Sequence, residues 1–305
     1  MRPVSDLLSE PLAFSRPASI RELFGRALLV LWRPRSLVLA LAAITCLPGT
    51  VITFGGYRAY LLSSGFAIAQ YRHGANGLWR LAIAAERFRP DQPHVNPIAL
   101  FLEIVLFWLV LATWVVLIEQ PAGRFSSAIH SLVQVLRERW RDLLIVAAIG
   151  GVLYAIIFGY VISHSGGAQA HAAPLEPYSL VFFLGVLIIF APVIGFLGGL
   201  FIAPEFAFIQ CFSFGRSWSK AFHIALRAQF TLRAALFFGT FAVAGVVLEE
   251  LWRFLAALVL ISTQSATAGT AVNYVLAAAM SAYFSSLLVL YALDIGRRAE
   301  PAPAS

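Results

Sequence analysis

The chain has 305 residues, 60% of them hydrophobic and only 12% charged, with a mean hydropathy of +0.82. A soluble domain carries about 25% charged residues, so this chain is too poor in charge to face water on every side. With Cys46 and Cys211 as the only cysteines, a disulfide-built secreted scaffold is excluded, and 25 Phe, 9 Tyr and 7 Trp exclude a disordered chain. The composition predicts an all-α, polytopic membrane helical bundle forming one domain over residues 1–305.

A hydrocarbon core of about 30 Å needs about 20 apolar residues in helix. Six stretches reach that length, at 36–56, 97–119, 143–163, 179–203, 234–256 and 271–293. They are continuously apolar and lack the alternation of a barrel strand. No cleavable leader is read in the mostly polar or amphipathic residues before the first span.

The net charge of +7 rests on 22 basic residues, of which Lys220 is the only lysine. Sixteen of them fall on the side that holds the N-terminus, in the runs Arg2–Arg35, Arg124–Arg141, Arg216–Arg233 and Arg297–Arg298. The other side has Arg253 and the five arginines Arg58, Arg72, Arg80, Arg87 and Arg89. That asymmetry predicts both termini in the cytoplasm. The 57–96 loop dissents. Its five positive charges call for amphipathic helices on the outer leaflet, the alternative being a misplaced first span.

The cytoplasmic connectors share a register. Each opens on a serine, Ser19, Ser127 or Ser217. Apolar residues follow at five (Phe24, Leu132, Phe222), eight (Ala27, Val135, Ala225) and nine (Leu28, Leu136, Leu226), and an aromatic at thirteen (Trp32, Trp140, Phe230). Those offsets fall near one face of a 3.6-residue helix, and serine is a favoured N-cap. The polar faces carry Arg21 and Arg26, then Arg137 and Arg141, then Arg216, Lys220 and Arg227. The pattern predicts three interfacial amphipathic helices, apolar side in the acyl boundary and basic side among phosphates. Each would lead a two-span hairpin, giving a pseudo-threefold repeat over about 19–119, 126–203 and 215–293. Any basic connector before a span gives a weaker version of the same signal.

The stretch FIAPEFAFIQCFSFGRSWSKAFHIALRAQFTLRAALFFG, within residues 201–240, resembles bacterial six-span inner-membrane proteins of the YciC-like group. It is also similar to the related membrane domain fused to some glycerophosphodiesterases. Their pattern there is a proline, an apolar stretch, usually a glutamate, then an amphipathic helix with serine and alanine before the next span. Pro204, Ser217, Ala221 and Leu226 match in kind, and Gln210 stands where the glutamate is usual. The resemblance implies a bacterial inner-membrane module and carries over no catalytic residue.

Small residues recur every fourth position at Ala147, Gly151, Ala155 and Gly159, at Gly195 and Gly199, and at Ala235 and Gly239. Such stripes let helix backbones approach closely. Packing within the bundle is the expected use, against a dimer face or a substrate groove. Pro48 and Pro192 each remove a helical hydrogen bond and are expected to kink their spans.

Ionisable residues inside a membrane are costly and therefore functional candidates. Glu103, Glu119 and Glu205 sit near span ends, where a carboxylate reaches water. Glu249, Glu250 and Arg253 form the sharpest cluster, with Glu249 four residues before Arg253 in the favourable order for an intrahelical pair. At 1.5 Å per residue from Leu232, Glu249 stands about 25 Å along the helix, close to an interface that suits Trp252. His164, His171 and Glu176 make a poor metal site, and no metal or other cofactor is expected. His130 and His223 are expected to face headgroups. Zinc-protease, nucleotide-loop, dinucleotide and serine-hydrolase motifs are absent from the sequence.

These features point to a non-catalytic accessory, assembly or scaffold protein whose partners are anionic lipid headgroups and other integral membrane proteins, not nucleic acid. A transporter or channel for a lipid or small amphiphile is the alternative, resting on the intramembrane polar residues Asn273, Ser281 and Ser285. A membrane-embedded lipid enzyme using Glu249 or Glu250 ranks third, for want of a nucleophile or metal partner.

Overall fold

The computed structural model describes residues 17–32, 37–71, 105, 108–116, 125–165 and 177–299, and among them every regular element is a helix. In chain order these are α1 (Ile20–Leu31), α2 (Leu37–Thr45), α3 (Leu47–Tyr71), α4 (Phe125–Ser165), α5 (Pro177–Phe214), α6 (Trp218–Gln229), α7 (Leu232–Thr263) and α8 (Ala266–Arg298). Residues 108–116 form a further helical stretch.

Local chemistry explains where these helices start and stop. The hydroxyls of Ser19, Thr231 and Ser265 accept N–H groups of Glu22, Ala234 and Ala268, filling donors that the first helical turn leaves unpaired. Gly215, at φ 60°, supplies the left-handed residue that ends α5 and turns the chain into α6. Gln264, at φ 53°, does the same between α7 and α8, so only Gln264 and Ser265 join those two long helices. The connection makes α7 and α8 an antiparallel hairpin.

Residues 254–262, beyond the Glu249–Arg253 pair, therefore continue α7 up to Thr263. At 1.5 Å per residue α7 and α8 each run about 50 Å. Among the described residues, Ala266–Arg298 alone is long and apolar enough to cross a membrane by itself. Two bent pairs have the length and composition when each is taken together. One is Leu37–Thr45 with Leu47–Ser63, bent by 44°; the other is α6 with α7, bent by 76°.

The break between α2 and α3 falls at Cys46, with Pro48 in the first turn of α3, where a missing N–H costs nothing. The kink expected at Pro48 is thus present. At Pro192, by contrast, α5 stays helical throughout. The first part of the 57–96 loop continues α3 as far as Tyr71, and residues 72–96 lie outside the described residues.

Helix α5 packs along α7, and α6 folds back along α5. Helices α1, α2 and α3 lie against α8, while α4 touches α5. The core gathers at the end of the hairpin where α8 finishes and α7 begins. There Phe237 stacks on Tyr291 with centroids 3.9 Å apart and planes 5° from parallel. Phe206 of α5, Phe238 and Phe24 of α1 close around that pair. A smaller cluster at the hairpin tip joins Ala256, Ala257, Leu260 and Ile261 of α7 to Tyr57 and Tyr60 of α3.

Three helix breaks share one register. Helix α1 ends at Leu31 and α6 at Gln229, each twelve residues after its serine. Helix α4 leaves helical geometry at Arg139 (φ −114°, ψ 17°), twelve residues after Ser127.

Candidate functional site

The end of the bundle where α1, α7 and α8 meet is held by one buried carboxylate. Asp294 of α8 is 0% exposed. Its Oδ1 accepts the Ala18 N–H at 2.7 Å, and its Oδ2 accepts Arg233 Nη2 at 2.5 Å and Arg298 Nε at 2.9 Å. Both arginines also donate to the Ala18 carbonyl, at 2.8 and 2.9 Å. A charge withdrawn from water is tolerable only when its lone pairs are filled by donors. Here three donors from three elements meet that condition. Ala18 directly precedes the Ser19 cap, so the clamp ties the start of α1 to the start of α7 and the last turns of α8. Beneath it, Tyr291 presents its ring 6.0 Å from the Arg233 guanidinium.

A second set of cations lies around the same last turn of α8. Arg216, just after the Gly215 turn, donates to Gln210 Oε1 at 3.2 Å and to the Gly296 carbonyl at 2.9 Å. Its guanidinium stands 4.7 Å from the centre of the Phe214 ring, and that of Arg297 stands 5.5 Å from the same ring. Phe214 lies so close to Gly296 that a Cβ there would collide with it. On the far side of α6, Trp218 Nε1 donates to Asp142 Oδ1 at 3.1 Å, and Asp142 also pairs with Arg139 at 3.2 Å. That contact ties the break in α4 to the start of α6.

The seven basic residues expected to meet lipid or a partner divide into two groups. Arg21, Arg137, Arg141, Lys220 and Arg227 are exposed. Arg26 pairs with Glu22 at 3.1 Å, and Arg216 is built into the α5–α8 contact. The apolar stripes depart from expectation. Leu23, Ala27 and Val30 of α1, and Ala221 and Ala225 of α6, are buried inside the protein and do not face outward. In α6 the small residues Ala221 and Ala225 let the helix lie close on the bundle, while α1 buries the larger Leu23 and Val30 on either side of Ala27. The register residues at eight, Ala27, Val135 and Ala225, are all buried. The aromatics at thirteen, Trp32, Trp140 and Phe230, are 77, 53 and 63% exposed.

The serine caps are realised once. Ser19 caps α1; Ser217 holds the cap position without a side-chain bond; Ser127 lies inside α4, which already begins at Phe125.

Among the small-residue positions, Gly199 and Gly239 serve packing within the chain. A Cβ on Gly239 would come 3.0 Å from the Ala191 carbonyl oxygen of α5, and one on Gly199 would collide with the Gln229 side chain. Ala147 is buried, while the surroundings of Gly151, Ala155, Gly159 and Gly195 lie outside the described residues. Glu249 and Arg253 form the expected i,i+4 ion pair, half exposed, with Glu250 exposed beside it. Asn273 is half-buried. The Ser285 hydroxyl donates back to the Ser281 carbonyl of its own helix at 2.7 Å.

Glu103, Glu119, His171 and Glu176 lie outside the described residues, as does the side chain of His164. Glu205 is buried, and its Oε2 has no hydrogen-bond partner among the described residues. His130 and His223 are exposed. Among the described residues no cluster of His, Cys, Asp or Glu is placed to hold a metal ion.

Asp294 is the residue that sequence reasoning missed, and a signal was available. It is the only acid in the span-length window Ala266–Arg298, and it stands four residues before Arg298. Counting only basic residues for orientation passes over it. No protein-family model, curated protein or solved structure matches the chain.

Proposed function

We propose that this chain is a non-catalytic, multi-pass integral membrane protein of the bacterial inner membrane, an accessory or scaffold component that binds anionic lipid and packs against other membrane proteins. Six spans, both termini in the cytoplasm, and kinship with the YciC-like group belong to the same reading. The observation that carries it is the common register of the basic helices. At each, a small or β-branched residue is buried at position eight, the helix breaks at position twelve, and an aromatic side chain is exposed at position thirteen.

Exposed aromatics beside exposed arginines are the side chains that suit a headgroup zone, the ring among acyl carbonyls and the guanidinium on phosphate. The 76° bend between α6 and α7 gives the geometry of a helix lying flat before one that crosses. The shared register also supports the threefold repeat.

A basic side chain near an anionic membrane surface contributes about 1 kcal/mol of attraction. Replacing Arg21, Arg137 and Arg227 together by Gln therefore removes most of the preference for anionic lipid and leaves insertion intact. The measurement is the relative association of spin-labelled phosphatidylglycerol and phosphatidylcholine with the reconstituted protein. An unchanged preference in the triple variant overturns the reading.

A further inference from the structure

We propose that the break between α2 and α3 is a hinge with two states, and that Tyr274 of α8 is the latch that selects the bent one. Hinge and latch rest on contacts within the chain, apart from the membrane reading.

Helical bonding runs through the break at Cys46, the residue between the two helices. Its N–H is donated to the Ala42 carbonyl at 3.1 Å, and its carbonyl accepts the Thr50 N–H at 3.0 Å. The carbonyls of Ala43 and Ile44 are treated differently. In an unbroken helix Ile44 would bond to residue 48, and Pro48 has no N–H to give. Ala43 would take the N–H of Leu47. At the break its carbonyl accepts the Tyr274 hydroxyl at 3.0 Å, from a residue 231 positions away. Ala43 is half-buried, and a main-chain carbonyl drawn out of water needs a donor. It has two alternative ones: Tyr274 while the helices are bent by 44°, and Leu47 once they straighten. The threonines around the break soften it. Hydroxyls of Thr45, Thr50 and Thr53 donate back to the carbonyls of Ala42, Cys46 and Gly49 at 2.8, 2.7 and 2.9 Å, contacts that favour bending of a helix.

Packing divides at the same point. Leu37, Val38 and Ala42 of α2 belong to the main core. Tyr57 and Tyr60 of α3 belong to the separate cluster at the hairpin tip. A swing at Cys46 therefore opens the tip cluster and leaves the main core as it is, which makes α3 a strap across the tip. Leu62 stands about 24 Å along α3 from the break at 1.5 Å per residue. Each 10° of swing carries it about 4 Å, and complete straightening about 18 Å.

Pulsed electron resonance on the purified full-length protein in detergent tests the hinge. Cys46 and Cys211 are replaced by Ala, and spin labels are placed at Leu62→Cys of α3 and Ser281→Cys of α8, both exposed. One distance is expected in that background. Tyr274→Phe keeps the ring and removes the hydroxyl, and is expected to add a second population displaced by up to about 18 Å. Pro48→Ala returns a donor to Ile44 and is expected to shift the population the same way. A second pair of labels, at Leu28→Cys of α1 and Ser281→Cys, lies on the main-core side and is expected to keep its distance in both variants. An unchanged Leu62–Ser281 distribution in Tyr274→Phe overturns the latch, and one unchanged in both variants overturns the hinge. Equal broadening of the Leu28–Ser281 pair overturns the local swing and makes the Tyr274 bond a tie of the whole bundle.

Discussion

The α7–α8 hairpin is closed at its two ends by opposite means. At the end bearing Asp294, directional polar bonds converge on one peptide residue, and an aromatic stack fills the space below. At the tip, Gly269 lies against Leu260 and Ala256, and Tyr57 and Tyr60 of α3 join Ala256, Ala257, Leu260 and Ile261 in an apolar cluster. The comparison teaches where specificity resides. A small-residue contact of the second kind can be matched by many helix pairs. A buried carboxylate that needs three donors from three elements admits one arrangement. The polar end therefore fixes how α1 docks, and the apolar tip supplies close packing without choosing a partner.

The largest effect is expected at the polar end. Asp294→Ala leaves Arg233 and Arg298 facing each other across an unfilled site, and breaking a buried pair in this way costs about 3–5 kcal/mol. Thermal unfolding in detergent reads the loss, and an unchanged midpoint would show that the clamp holds nothing. At the tip, Gly269→Val forces a Cβ to within 2.8 Å of the Leu260 Cβ and 3.2 Å of the Ala256 oxygen. Overpacking of that kind costs about 1–3 kcal/mol. The same thermal assay should rank it below Asp294→Ala, and the reverse order would invert the comparison.

Smaller effects sharpen the contrast. Ser19→Ala removes the cap directly after the clamp and should cost about 1 kcal/mol. Hydrogen exchange should report it as faster exchange confined to α1; a loss of protection spread through α7 and α8 would mean that the cap supports the whole bundle. Least of all, Glu249→Gln breaks an ion pair that is more than a third exposed, and a shift of no more than about 0.5 kcal/mol is expected. A large shift would place Glu249 and Arg253 in a structural role that their exposure does not support.

Much of the helical organisation was legible, for identifiable reasons. Apolar length and the absence of alternation marked the helices, and i,i+4 order marked Glu249 with Arg253. The serine-to-aromatic register marked three related segments, and the structure places a helix end or a non-helical residue near position twelve of each. Tertiary context decided the rest. Which way the apolar stripe of α1 or α6 faces depends on what lies beside it, and Leu23 and Ala221 turned out to pack on the bundle. Asp294 was hidden because its partners, Ala18 and Arg233, stand 276 and 61 residues away in sequence. Nor does periodicity reveal that Arg216 is spent on Gln210 and Gly296, leaving Arg21, Arg137 and Arg227 as the more open cations.

The central claim is that the two ends of the α7–α8 hairpin lie on opposite sides of a membrane, with the basic helices at one of them. Cysteine accessibility tests it most directly. Cys46 and Cys211 are first replaced by Ala, and single cysteines are then placed at Gln264 and Lys220, both exposed. In right-side-out and inverted vesicles, a membrane-impermeant maleimide should label Gln264→Cys from the outside only and Lys220→Cys from the inside only. Labelling of both positions from the same side would contradict the account.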